Sequence, residues 1–116
     1  MKRKIKFRAW IPDTGWLADG FSIAMDGTEW YDDNGHSWQL SQLELMQFTG
    51  LLDKNGVEIY EGDIISDGYD NAVVYYDTSR AAFMSQFKIE DSPQEFEENF
   101  IWFTIVGNIR ENPELL

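Results

Sequence analysis

The chain has no cysteine, which excludes disulfides and thiolate chemistry and suits a reducing compartment. It has no run of about 18 apolar residues, so no helical membrane span is expected. Histidine occurs once, as His36. Basic residues are scarce: nine Lys and Arg stand against 21 Asp and Glu, a net charge of -12. Five of the nine (Lys2, Arg3, Lys4, Lys6 and Arg8) fall in the first eight positions. Residues 9–116 therefore carry four positive and 21 negative charges, a net of -17. Such a surface repels the phosphate backbone, so duplex nucleic-acid binding by the body of the protein is not expected. It attracts basic proteins instead and steers their approach at long range. The basic start looks like the n-region of a signal peptide. No apolar h-region follows, because Ile5 and Phe7 alternate with Lys6 and Arg8.

What is present is a single-domain length of 116 residues, 43% apolar and 16% aromatic. That is enough for one modest core and too apolar for disorder. Five Trp, five Tyr and eight Phe favour strands, where rings pack on a pleated surface. There is no internal repeat, linker-like stretch or low-complexity segment.

Residues 3–10 alternate, with Ile5, Phe7 and Ala9 on one face and Lys4, Lys6 and Arg8 on the other, which predicts a half-buried strand. Pro12-Asp13-Thr14-Gly15 is a turn, and Trp16 to Ile23 a returning strand. Asn34-Gly35, between Glu29-Trp30-Tyr31 and Ser37-Trp38-Gln39-Leu40, predicts a hairpin with a type I′ turn, whose central residues both need positive φ. Residues 41–45 fit a short helix or the lead into a strand. Phe48 to Leu52, Lys54-Asn55-Gly56 and Val57 to Tyr60 predict a second hairpin. Glu61-Gly62-Asp63 then makes a tight corner on a left-handed Gly62.

Ile64-Ile65 begins a further strand, Gly68 to Asn71 turns, and Ala72 to Asp77 is a strand. Residues 81–89 place Ala81, Phe83, Phe87 and Ile89 on one face. Ser92-Pro93-Gln94-Glu95 is a capping box that predicts a helix over 93–99, with Phe96 and Phe100 on its buried side. Residues 100–106 are apolar on both faces and predict a central, doubly covered strand. Asn112-Pro113-Glu114 caps a last helical turn that tucks in Leu115 and Leu116. Short strands at this spacing suit a small barrel or sandwich.

Four motifs stand in order along the chain. They are Phe7-Arg8-Ala9-Trp10, then Gln47-Phe48-Thr49-Gly50-Leu51, then Asp53-Lys54-Asn55-Gly56 with Ile59-Tyr60-Glu61-Gly62-Asp63-Ile64, and last Gly107-Asn108-Ile109-Arg110-Glu111-Asn112-Pro113-Glu114-Leu115-Leu116. Together they resemble the YopX family of small phage and prophage proteins. Residues 11–45 and 66–100 take no part in the resemblance. The resemblance implies a C-terminal SH3-like β-barrel in a mobile-element protein of the bacterial cytoplasm. It brings no catalytic residues to carry over.

His36 follows the Asn34-Gly35 turn, and no spacing supplies the buried carboxylate and nucleophile of a triad, so it reads as an exposed turn residue. Asp53 to Glu58 resembles part of a calcium loop, but its Gly comes fourth rather than sixth and no Glu stands twelfth. It reads as a plain I′ turn. Asp63, Asp67 and Asp70, with Glu58 and Glu61, form a set able to converge on Mg²⁺. Acids are so widespread that the plainer reading is chance, with Asp63 a corner carboxylate accepting backbone N–H groups. Residues 2–8 form a nucleic-acid arm or, the preferred reading, a solvated strand face paired with the protein's own acids. Trp10, Trp16, Trp30, Trp38, Tyr69, Tyr75 and Tyr76 exceed one small core. They imply exposed aromatics at a protein-binding patch or a second core in the N-terminal half.

The sequence thus predicts a mainly β (β-rich α+β) protein. Residues 1–45 form an irregular strand and hairpin region, and residues 46–116 an SH3-like barrel region, within one compact unit. No catalytic, cofactor-binding or metal residue is assigned, and no cofactor. The expected function is a non-enzymatic protein–protein interaction module whose acidic surface takes a basic host or phage protein. The alternatives are an acidic DNA mimic that inhibits a nucleic-acid enzyme, a carboxylate and Mg²⁺-dependent hydrolase, and single-strand binding on barrel aromatics. No membrane partner is expected, and edge strands are compatible with a homo-oligomer.

Overall fold

The structure, a computed structural model, describes residues 4–16, 22–23, 29–31, 35–86, 94–95 and 103–116. Among them are twelve β-strands, short 3-10 turns and no α-helix, so the mainly β expectation holds. No helix among the described residues is long and apolar enough to cross a membrane. The chain divides into two compact units, Phe7–Met46 on one side and Met1–Lys6 with Gln47–Leu116 on the other.

In the Phe7–Met46 unit, β1 (Phe7–Ile11) and β2 (Gly15–Trp16) form a hairpin. Its turn holds Asp13 at φ 68 and Gly15 at φ 114. The Trp10 and Trp16 rings meet edge to face at 5.0 Å, with the Arg8 guanidinium 4.6 Å from the Trp16 ring centre. The predicted strand over 3–10 starts only at Phe7, which leaves Ile5 and Phe7 exposed while Ala9 is buried. β3 (Ser22–Ile23), β4 (Glu29–Tyr31) and β5 (Ser37–Gln39) make an antiparallel sheet. The Asn34-Gly35 hairpin is there, with Glu29 paired to Gln39 and Tyr31 to Ser37. The type I′ turn expected at Asn34 falls outside the described residues. Ala9, Trp30 and Leu43 are buried together, with Ile11 and Leu45 against them. Trp30 is thus a core residue, and the N-terminal half has the small core of its own that the surplus aromatics allowed. A 3-10 turn at Leu40–Gln42 leads into β6 (Glu44–Leu52).

In the other unit, β6 pairs with β7 (Glu58–Tyr60). β8 (Asp63–Ser66), β9 (Asn71–Asp77), β10 (Ala82–Gln86), β11 (Gln94–Glu95) and β12 (Thr104–Asn108) form an antiparallel sheet in the order β11-β10-β9-β8-β12. Ile59, Ile65, Ala72 and Val74 are fully buried, with Phe103 and Ile105 packed on them. Burying each Ile or Val contributes about 1.5–3 kcal/mol.

Three expectations fail in this unit. Gln94 and Glu95 are not helical but pair with Ser85 and Met84 of β10. The unpaired edge of β10 outweighs a local capping signal. The rest of 93–99, with Phe87, Ile89, Phe96 and Phe100, lies outside the described residues. Of the central strand expected over 100–106, residues 100–102 lie outside the described residues; among the described strands β12 is half-buried at the sheet's edge, and Val106 stands exposed at its bulge. At the end the expectation fails only in part: the last helical turn is there, as a 3-10 turn over Pro113–Leu115 with Leu115 half-buried, but the Asn112 side chain does not cap it and Leu116 is exposed.

Candidate functional site

The signature segment from Gln47 onward is built on two hairpins and a corner. Gln47 and Glu61 are tied twice: the Glu61 N–H donates to the Gln47 carbonyl, and the Gln47 N–H to Glu61 Oε1 at 2.8 Å. The Phe48 and Tyr60 rings pack across the same pair at 5.6 Å. A bulge then shifts the register between Phe48 and Leu52. It is formed by Gly50 at φ 90 and by Thr49, whose hydroxyl donates to the Ile59 carbonyl at 2.8 Å and accepts from the Leu51 N–H.

Asp53 is buried and binds three backbone groups. Its Oδ1 accepts from the N–H of Asn55 at 2.8 Å and of Val57 at 2.9 Å. Its Oδ2 accepts from the N–H of Ile105 at 3.1 Å. The next N–H, of Lys54, donates to the Phe103 carbonyl. One carboxylate thus closes its own turn and satisfies the outer edge of β12. Burial works against the charged form, but the N–H groups of Val57, Ile105 and Asn55 outweigh it and hold this carboxyl below its ordinary value. The turn itself corrects the sequence reading. Only Gly56 takes a positive φ (80), and the Asp53 N–H donates to the Val57 carbonyl. This is a three-residue loop with a left-handed Gly, not a type I′ turn.

The corner at Gly62 is as predicted, with φ 86. Buried Asp63 accepts from the Tyr60 N–H at 2.8 Å. The Gly62 N–H donates to Val74, and its carbonyl accepts from Ile109. The closing motif is likewise structural. Asn108 Oδ1 accepts from the N–H groups of Arg110 and Glu111, and Asn112 Oδ1 from that of Asn108. A Cβ on Gly107 would stand 2.6 Å from Asn112 Oδ1, which explains the glycine.

The five candidate metal carboxylates are not brought together. Glu58 bonds Lys6 at 2.9 Å and raises that ammonium's pKa. Glu61 and Asp63 hold the two backbone sites just described. Asp67 Oδ1 accepts from the N–H groups of Tyr69 and Asp70, which lowers its pKa. Among the described residues no group of three or more His, Asp or Glu is placed to hold a metal ion. His36 is exposed. Lys6 follows the preferred reading of the basic start by pairing with Glu58, while Lys2 and Arg3 lie outside the described residues.

The YopX protein family model matches residues 6–116. The crystal structure of protein EF1440 from Enterococcus faecalis is similar over 99% of both chains, at 27% identity and a TM-score of 0.71. No curated protein matches the sequence. With the family's model spanning nearly the whole chain, the protein belongs to the YopX family.

Proposed function

We propose that this is a non-enzymatic, phage- or prophage-encoded accessory protein of the bacterial cytoplasm. It acts as a protein–protein interaction module whose acidic surface receives a basic host or phage protein. The observation that carries this reading is the use of the signature's polar side chains. Thr49, Asp53, Glu61, Asp63, Asn108 and Asn112 each bond backbone groups within their own unit. Groups committed in this way are poorly placed for proton transfer or metal binding. What remains is the charge excess: residues 9–116 carry a net of -17, and Asp53 and Asp63 are the buried acids among the described residues. We read the Gln47–Leu116 part as an SH3-like barrel, in keeping with its short antiparallel strands and its bends at Gly50 and Gly62.

Affinity capture of the tagged protein from host lysate at low and high salt, read by mass spectrometry, tests the proposal. A stoichiometric basic partner lost at high salt is expected, because screening weakens exposed charge. A partner held equally at both salts would remove the acidic surface as the driver. The same charge supports a second reading, a DNA mimic occupying a nucleic-acid enzyme. Duplex DNA must then displace the protein from its partner, and it must not if the first reading holds. A melting temperature raised by low-millimolar Mg²⁺ would instead favour the carboxylate hydrolase.

A further inference from the structure

We propose that the β8–β9 tip is the docking site for a Lys- or Arg-bearing segment of the protein partner, with Tyr69 as its anchor. This rests on the acidic-binding reading above and gives it a location. Tyr69 is 94% exposed, against 43% for Tyr76 and 41% for Tyr31. Among the described residues the Tyr69 ring stacks on no other ring and meets no cation.

Its presentation is fixed. Ser66 pairs with Asn71, and the loop between them is held by the two bonds to Asp67 Oδ1, each 2.8 Å. The Gly68 N–H donates to Ser66 Oγ at 3.1 Å. Because the backbone that carries the ring is held, engaging it costs side-chain but little loop-ordering entropy. Tyrosine suits this role because it gives a large contact at low rotamer cost.

The surroundings select the occupant. Asp67 and Asp70, two positions before and one after Tyr69 in the same loop, are exposed. Asn71 Nδ2 donates to the Leu115 carbonyl at 2.9 Å, bringing the closing segment with exposed Glu114 and Leu116 alongside the base of the loop. Residues 66–71 and 113–116 contain no Lys or Arg. An exposed ring on a loop that also carries exposed carboxylates is complementary to a guanidinium or ammonium, which gains both a cation–π contact and opposite charge.

The test is titration of the full ¹⁵N-labelled chain with a short synthetic Arg- and Lys-rich peptide at low salt. Amide shifts should concentrate at residues 66–71 and 113–116. Tyr69→Ala should weaken binding about tenfold and Tyr69→Phe less than about twofold, both with unchanged melting temperature. Asp70→Asn and Glu114→Gln should weaken it and flatten its salt dependence. Shifts spread over the acidic surface, with Tyr69→Ala binding like the wild type, would overturn the site but leave the acidic reading standing. No binding at low salt would overturn both.

Discussion

At the scale of single residues, the carboxylates divide by use. Asp53, Asp63 and Asp67 satisfy backbone N–H groups, and Asp77 holds its own loop through Ser79 and Arg80, which lower its pKa to about 2. The sign for pH follows. Asp53, Asp67 and Asp77 all have folded values below the ordinary one, near 3.8. Their stabilisation is complete above that value and is lost as pH falls through it toward the folded values. A melting series from pH 7 down to pH 2 should fall across that window, and Asp53→Asn should flatten the fall. Asp63 was legible in sequence because its partner, Tyr60, is three residues away. The reach of Asp53 to Ile105 was not, because 52 residues separate them and no local pattern reports such a contact.

At the scale of elements, hairpins were legible where alternation and turn residues agree, as in β6–β7 and β8–β9. Turn types and edges were not, because they depend on register. The loop before β10 carries a correctable strain: Ala81 sits at φ 51. Ala81→Gly should gain about 0.5 kcal/mol in urea unfolding, since relief of the left-handed penalty exceeds glycine's entropy cost. Gly107 is the opposite case. Gly107→Ala drives a Cβ against Asn112 and should destabilise by about 1–3 kcal/mol, read as a shift in the urea midpoint. The helix predicted over 93–99 shows the limit of local signals, since the pairing of Gln94 and Glu95 with β10 is decided by a strand outside the window.

At the scale of the whole molecule, a net charge of -12 opposes compaction through self-repulsion. Added salt should therefore raise the melting temperature while it weakens partner binding. A melting temperature that falls between low and moderate salt would show that attractive pairs such as Lys6–Glu58 dominate instead. The family could be read from four motifs. Most of what they encode is the fold, which is why they name no chemistry.

The central claim is that the signature carboxylates hold the fold while binding falls to exposed ones. The measurement that tests it most directly is the melting temperature of Asp53→Ala beside those of Asp70→Asn and Glu114→Gln. Asp53→Ala leaves three backbone N–H groups without their acceptor and should cost roughly 3 kcal/mol, a drop of about 10 °C or more, while the other two stay within about 2 °C. An Asp53→Ala protein that melts like the wild type would contradict the account and return that buried carboxylate to the candidates for chemistry.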